Sequence, residues 1–166
     1  GHKGREWDGG LRVPAVLCRK GRFAEGVRSE QLAAFVDMAP TIAALVGAGE
    51  PPRPYDGVNL LPALTGETAS FPRDLYLGCG AAVSGDCKLI LKGGSRAMQL
   101  KSDYLVYYPE DAYEAQNRIE EHAAEAERLR RYIIRYDTIR PAHPELPYGQ
   151  GKEGFKAPAE WRVTKP

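Results

Sequence analysis

Long apolar runs are missing from this sequence. No stretch approaches the roughly 20 residues that a helix needs to cross a bilayer, so nothing in it reads as a membrane span. A surplus of one charge is missing too. Lys and Arg number 23 against 22 Asp and Glu, a net charge of +1. Phosphate backbones are held by clustered Lys and Arg, so this balance gives no reason to expect a nucleic-acid partner. Cysteine is scarce. Cys18, Cys79 and Cys87 are the only three, without the C-x-x-C spacing of a structural zinc site. Cys79 and Cys87 could bridge a hairpin in an oxidising compartment; two reduced, partly buried thiols are the expected state. The polar, highly charged composition of disordered chains is also absent, with 43% hydrophobic and 27% charged residues. No signal peptide opens the chain. It begins at Gly1, part-way through a motif, as a piece of a longer protein would.

What is present is enough for one domain with a modest core, 166 residues in all. Glycine (18) and proline (13) gather in two places, Gly47 to Pro54 and Pro141 to Pro166. The first reads as a linker or long loop, the second as an extended arm on a surface.

Gly1 to Gly10 is polar and glycine-rich, hence a loop. Leu11 to Arg19 reads as an apolar strand, at an edge or starting after Pro14, because proline cannot donate to a central ladder. Gly21 to Gly26 is a turn. A helix of about 11 residues is expected next. Asp37 is its N-cap, Pro40 lies in its first turn, and Met38, Ile42, Leu45 and Val46 recur at helical spacing before Gly47 stops it. Asp56 to Gly66 is compact and turn-rich, with Leu60, Leu61 and Leu64 as core plugs. Short β-like runs follow at Asp74–Gly80, Cys87–Lys92, Ala97–Leu100 and Tyr104–Tyr108, which predicts a small antiparallel sheet. A long helix is expected from about Ala112 to Asp137, with Ile119, His122, Ala126, Leu129, Ile133 and Tyr136 on one stripe. Its dense Arg and Glu read as a solvated face, and a scaffold role through that face is one functional alternative.

The opening residues, Gly1-His2-Lys3-Gly4-Arg5-Glu6-Trp7-Asp8-Gly9-Gly10-Leu11-Arg12-Val13-Pro14, join a lysine, an aromatic, an acid, a double glycine and an R-x-P at fixed spacing. They resemble the second signature of the sulfatase family, in the alkaline phosphatase-like superfamily, and every fixed position matches. Later landmarks follow in family order. Phe35 to Ile42 is similar to a V-D-L-x-P-T-L helix start, and Asp56 to Gly66 to D-G-V-x-L-x-P-L-L-x-G. Gly85 to Ile90 resembles G-x-W-K-L-I with Cys87 in the aromatic position, and Asp111 to Asn117 resembles a worn D-P-x-E-x-x-N with Ala112 in place of proline. The likeness covers about Gly1 to Ile119. It implies an α/β fragment of a sulfatase-type domain over residues 1–70, then an α+β subdomain over 71–140, a small antiparallel sheet packed by one long helix. Residues 141–166 form the extended tail.

The same resemblance implies a C-terminal portion of a sulfuric-ester hydrolase acting on a sulfated small molecule or sulfated glycan. A periplasmic or secreted setting goes with it. Lys3 is the catalytic candidate, because a compact ammonium beside a sulfuryl oxygen offsets the negative charge that builds in the transition state. His2 is a candidate for lining the same pocket. Arg12 and Asp8 read as structural, with Arg12 pinning the loop through Asp8, and Trp7 as core or pocket wall. Gly9 and Gly10 suggest a tight approach or positive φ. His122 reads as a packed or half-exposed residue of the helix stripe, and His143 as loop. The family's nucleophile is a formylglycine made from C/S-x-P-x-R. Cys18-Arg19-Lys20-Gly21-Arg22 has lysine where the proline belongs and follows the lysine motif, so it is rejected. The calcium ligands of the family also lie upstream and cannot be mapped here. A non-catalytic or degenerate module and a phosphoester- or phosphonate-cleaving relative are the other readings.

Overall fold

The computed structural model describes residues 3–49, 51–94, 99–139, 150–151, 153–156, 158 and 161. Its centre is a four-stranded antiparallel meander in the order β1-β2-β3-β4. The strands are β1 (Asp74–Gly78), β2 (Ala81–Ser84), β3 (Cys87–Ile90) and β4 (Tyr104–Tyr107). Tight turns join the first three, and Gly78 takes a positive φ of 82° where the β1–β2 register slips. The pairs Ala82↔Leu89 and Leu89↔Leu105 set the register. Side chains alternate across a sheet, so Ala82, Cys87, Leu89 and Leu105 face one side. There they meet Ala126, Leu129 and Ile133 of a 15-residue helix, Ala123–Asp137, in one buried cluster. Lys88 and Ile90 necessarily face the other side. Trp7 and Leu100 close over Ala81 and Ile90 on that side. This double cover explains why β3 is buried at all four positions although its sequence, Cys-Lys-Leu-Ile, does not alternate simply.

The outer edge of β4 is occupied. The Leu105 amide donates to the Asn117 side-chain oxygen at 3.0 Å, and the Arg118 amide donates to the Leu105 carbonyl at 2.9 Å. At the far side, Arg128 of the long helix reaches Asp74 of β1 at 2.6 Å and Ser84 at 2.8 Å.

Ahead of the sheet stand three short helices, α1 (Asp8–Leu11), α2 (Met38–Val46, preceded by a 3₁₀ turn at Phe35–Asp37) and α3 (Leu61–Thr65). The long helix is α4. Gly47 ends α2 in the left-handed conformation, as its place in the sequence predicts. Leu60 is buried, whereas Leu61 and Leu64 are half-buried.

Several expectations need correcting. Leu11–Arg19 does not form a strand: after α1 the chain runs on without a ladder partner, and Val13 and Val16 are exposed. A strand exists only against a neighbour, and none of the described residues provides one. The expected helix starts 11 residues late, at Ala123, because Asp111, Glu114 and Asn117 use their side chains in turns that stitch the chain to the sheet. The run Ala97–Leu100 lies partly outside the described residues, and Gln99 and Leu100 are irregular. Strand β2 escaped notice because Ala-Ala-Val-Ser carries little β-branched or aromatic signal. Most of the expected arm, Pro141 to Pro166, lies outside the described residues, as does His143. All three cysteines are free, Cys87 buried and Cys79 exposed.

Candidate functional site

Over the described part of the opening motif, exposure falls from Lys3 and Gly4 to a buried base at Glu6. Lys3 is exposed, next to Gly4 in the left-handed region at φ 82°. His2 lies outside the described residues. Towards the base, Glu6 is buried. Trp7 packs edge-on against Tyr104, ring centroids 5.0 Å apart, and joins the cluster of Ala81 and Ile90. Trp7 is thus a core wedge. Gly9 and Gly10 lie in the helical backbone of α1, so the positive φ expected of them falls on Gly4 instead.

Below the loop is a cluster of charges. The Lys88 ammonium, 1% exposed, donates to Asp8 Oδ1 at 2.7 Å and pairs with the Glu114 carboxylate. The Tyr108 hydroxyl donates to the same Asp8 oxygen at 2.7 Å. Glu114 Oε2 accepts the Asp8 backbone N–H at 2.8 Å, placing a carboxylate on the first amide of α1. Burial pushes the Asp8 carboxyl up, yet the hydrogen bonds from Lys88 and Tyr108 and the Lys88 and Arg12 charges outweigh it and hold it below the ordinary aspartate range. Burial and the neighbouring Asp8 raise the Tyr108 phenol, so it stays a proton donor. Arg12 does pair with Asp8, at 3.6 Å, but its side chain is 72% exposed and the contact is worth little.

A second buried carboxylate organises the preceding segment. Asp37 is fully buried. It accepts the Ala34 amide at 2.7 Å, the Val58 amide at 2.9 Å and the Arg73 guanidinium at 2.6 Å. Thr41 Oγ1 accepts the Leu60 amide at 2.9 Å. Asp37 therefore does not cap α2 with its side chain as expected; the Arg73 and Val58 donors draw it the other way. Gly57 makes the approach possible, since a Cβ there would stand 2.1 Å from the Val36 carbonyl oxygen.

Among the described residues, no group of three or more His, Cys, Asp or Glu side chains is arranged to hold a metal ion. Asp8 and Asp37 are engaged by cations and amides, so they do not fit a calcium site. Among the described residues, no helix is long and apolar enough to cross a membrane.

No family model matches the chain. The chain is similar to several sulfatases. Arylsulfatase A of Bos taurus is 46% identical over 71 residues, covering 43% of this chain and 14% of the relative. Arylsulfatase G of Rattus norvegicus is 41% identical over 71 residues, 42% and 14% respectively. Steryl-sulfatase of Rattus norvegicus is 35% identical over 86 residues, 51% and 15%. Over the aligned stretch this chain is similar to these sulfatases. The chain spans only 14–15% of the length of these relatives. A solved structure from work on glycosaminoglycan metabolism by Bacteroides thetaiotaomicron superposes with a TM-score of 0.49 at 18% identity, covering 62% of this chain and 24% of that one.

The motifs picked out in the sequence are joined in space. Asp37 and Thr41 of one motif hold Val58 and Leu60 of the next. Lys88 of the fourth and Glu114 of the fifth hold Asp8 of the first. Reading the sequence missed the roles of Lys88, Glu114 and Tyr108. A signal for Lys88 was available: a lysine at a sheet position sharing the face of Ile90 needs a counter-charge, and the family-like pattern offered Asp8 and Glu114.

Proposed function

We propose that the segment is the C-terminal portion of a sulfuric-ester hydrolase and that Lys3 is its sulfate-contacting lysine. The supporting observation is the asymmetry of the opening loop. Its base is fixed by Trp7 in the core and by Asp8 on Lys88, while Lys3 stands exposed five positions ahead. A compact ammonium on a braced loop suits an anion that gains charge on its leaving oxygen as the S–O bond breaks. His2 would line the same pocket. The substrate would be a sulfated small molecule or sulfated glycan.

Calcium and the formylglycine nucleophile of such an enzyme would come from outside the described residues. The segment alone is therefore expected to turn over no sulfate ester. Its first 70 residues, with Val16 93%, Phe35 91% and Val46 67% exposed, suit a part of the catalytic domain that packs against further chain.

The test uses the longer protein carrying this segment and a chromogenic aryl sulfate. Lys3→Ala should lower kcat by about 100-fold, the size of losing one transition-state charge contact. An unchanged kcat would remove Lys3 from the reaction. Parallel assays with an aryl phosphonate and a phosphodiester decide the substrate class, and faster turnover of either than of the sulfate would overturn the sulfate reading.

A further inference from the structure

We propose that Lys88 and Glu114 are positioning residues for Lys3: their ion pair beneath the opening loop sets the direction in which that loop carries the Lys3 ammonium. The inference rests on the sulfate-ester reading above and names what aims the lysine in it.

Four observations carry it. Lys88 is 1% exposed, and a buried ion pair is a poor choice for stability alone, since apolar side chains of like volume often serve as well or better. Something other than core stability therefore accounts for a charge at the centre of β3. Glu114 takes φ 58°, a left-handed conformation disfavoured for a residue with a Cβ, and in that conformation its carboxylate lies under α1. Glu114 also grips main chain as well as side chain. It accepts the Asp8 backbone N–H, so it fixes the path of the loop itself. Finally, Trp7 is wedged beside Tyr104 one residue from Asp8, which leaves the base held at two adjacent points. Residues 80 and 106 positions away in sequence thus set the base from which the chain leads back to Lys3.

The kinetic test compares Lys3→Ala, Glu114→Gln and the double variant in the longer protein, with an aryl sulfate as probe. Glu114→Gln keeps the size of the side chain and removes its charge. It should lower kcat about 10- to 100-fold, the effect of misplacing a reacting group by about 1 Å, and move KM much less. Added to Lys3→Ala it should lower kcat no further, because the lost interaction is the same one. Losses that multiply would mean that Glu114 acts on general structure, and would overturn the proposal. Normal kcat in Glu114→Gln, with Lys3→Ala impaired, would also overturn it while leaving the sulfatase reading intact. Normal kcat in Lys3→Ala sinks that reading first. A second measurement covers poor folding in the longer protein. In this chain carrying Trp161→Phe, Trp7 is the sole tryptophan. Glu114→Gln should shift its emission to the red as the base loosens, and an unchanged spectrum would overturn the tether.

Discussion

At Asp37 one carboxylate closes three gaps. It satisfies the amides of Ala34 and Val58 and neutralises Arg73, whose side chain is only 9% exposed. Removing it leaves two amides and a buried guanidinium without their acceptor. Asp37→Ala should therefore cost about 3–5 kcal/mol, read as a drop in the urea midpoint. A loss under about 1 kcal/mol would mean that water or another acceptor replaces it. Residues of this kind were only half legible. Asp37 stood out as a polar residue before a helix, but its partners lie 21 and 36 positions ahead, and no local rule points that far. Lys3 could be singled out as a candidate because its motif is contiguous. Lys88 and Glu114 were not given roles, because each makes sense only once the sheet shows which side chains share its lower face.

At the scale of elements, α4 is the chief support of the sheet. Ala126, Leu129 and Ile133 are buried on Leu89 and Leu105, while Ile134, next in sequence, is 50% exposed. Leu129→Ala should cost about 2–5 kcal/mol by chemical denaturation, and Ile134→Ala well under about 1 kcal/mol. Equal losses would show that the helix is not docked by this face. The stripe itself was visible in the sequence from its spacing. The helix start was not, because residues 112–122 continue the spacing with Ile119 and His122 while their backbone is spent on turns. Both side chains still pack where the stripe predicts: Ile119 joins the core cluster, and the His122 ring lies 4.3 Å from that of Tyr107. The two substitutions that look like wear are also explained in part. Cys87 fills a buried position in that same cluster. In the D-x-x-E-x-x-N run, Asp111, Glu114 and Asn117 all keep hydrogen-bonded tasks around an exposed Ala112.

For the whole molecule, pH is the informative variable. Asp8, Asp37 and Asp74 all titrate below the ordinary aspartate range when folded. For Asp8 and Asp37 burial opposes this, and cationic and hydrogen-bonding partners prevail; for Asp74 the Arg128 hydrogen bond leads. A carboxyl with a depressed folded pKa contributes its full stability above the unfolded value and loses it as pH falls through the folded one. The urea midpoint should therefore be flat from about pH 5 upward and fall steeply below about pH 4. Asp74→Asn should flatten that fall. A midpoint that does not move between pH 5 and pH 3 would contradict the role given to these carboxylates. Fold class was legible at this scale, since a run of short strands followed by one amphipathic helix admits few arrangements. What covers the second face of the sheet was not, because that cover comes from the opening loop, some 80 residues earlier in the chain.

The side-chain amide of Asn117 has a further consequence. An open strand edge invites another chain to add to it, and at Leu105 both main-chain groups of that edge are already taken. A second molecule could lengthen the sheet beyond β4 only by first prising Asn117 and Arg118 away, so fibril growth by strand addition is barred on that flank.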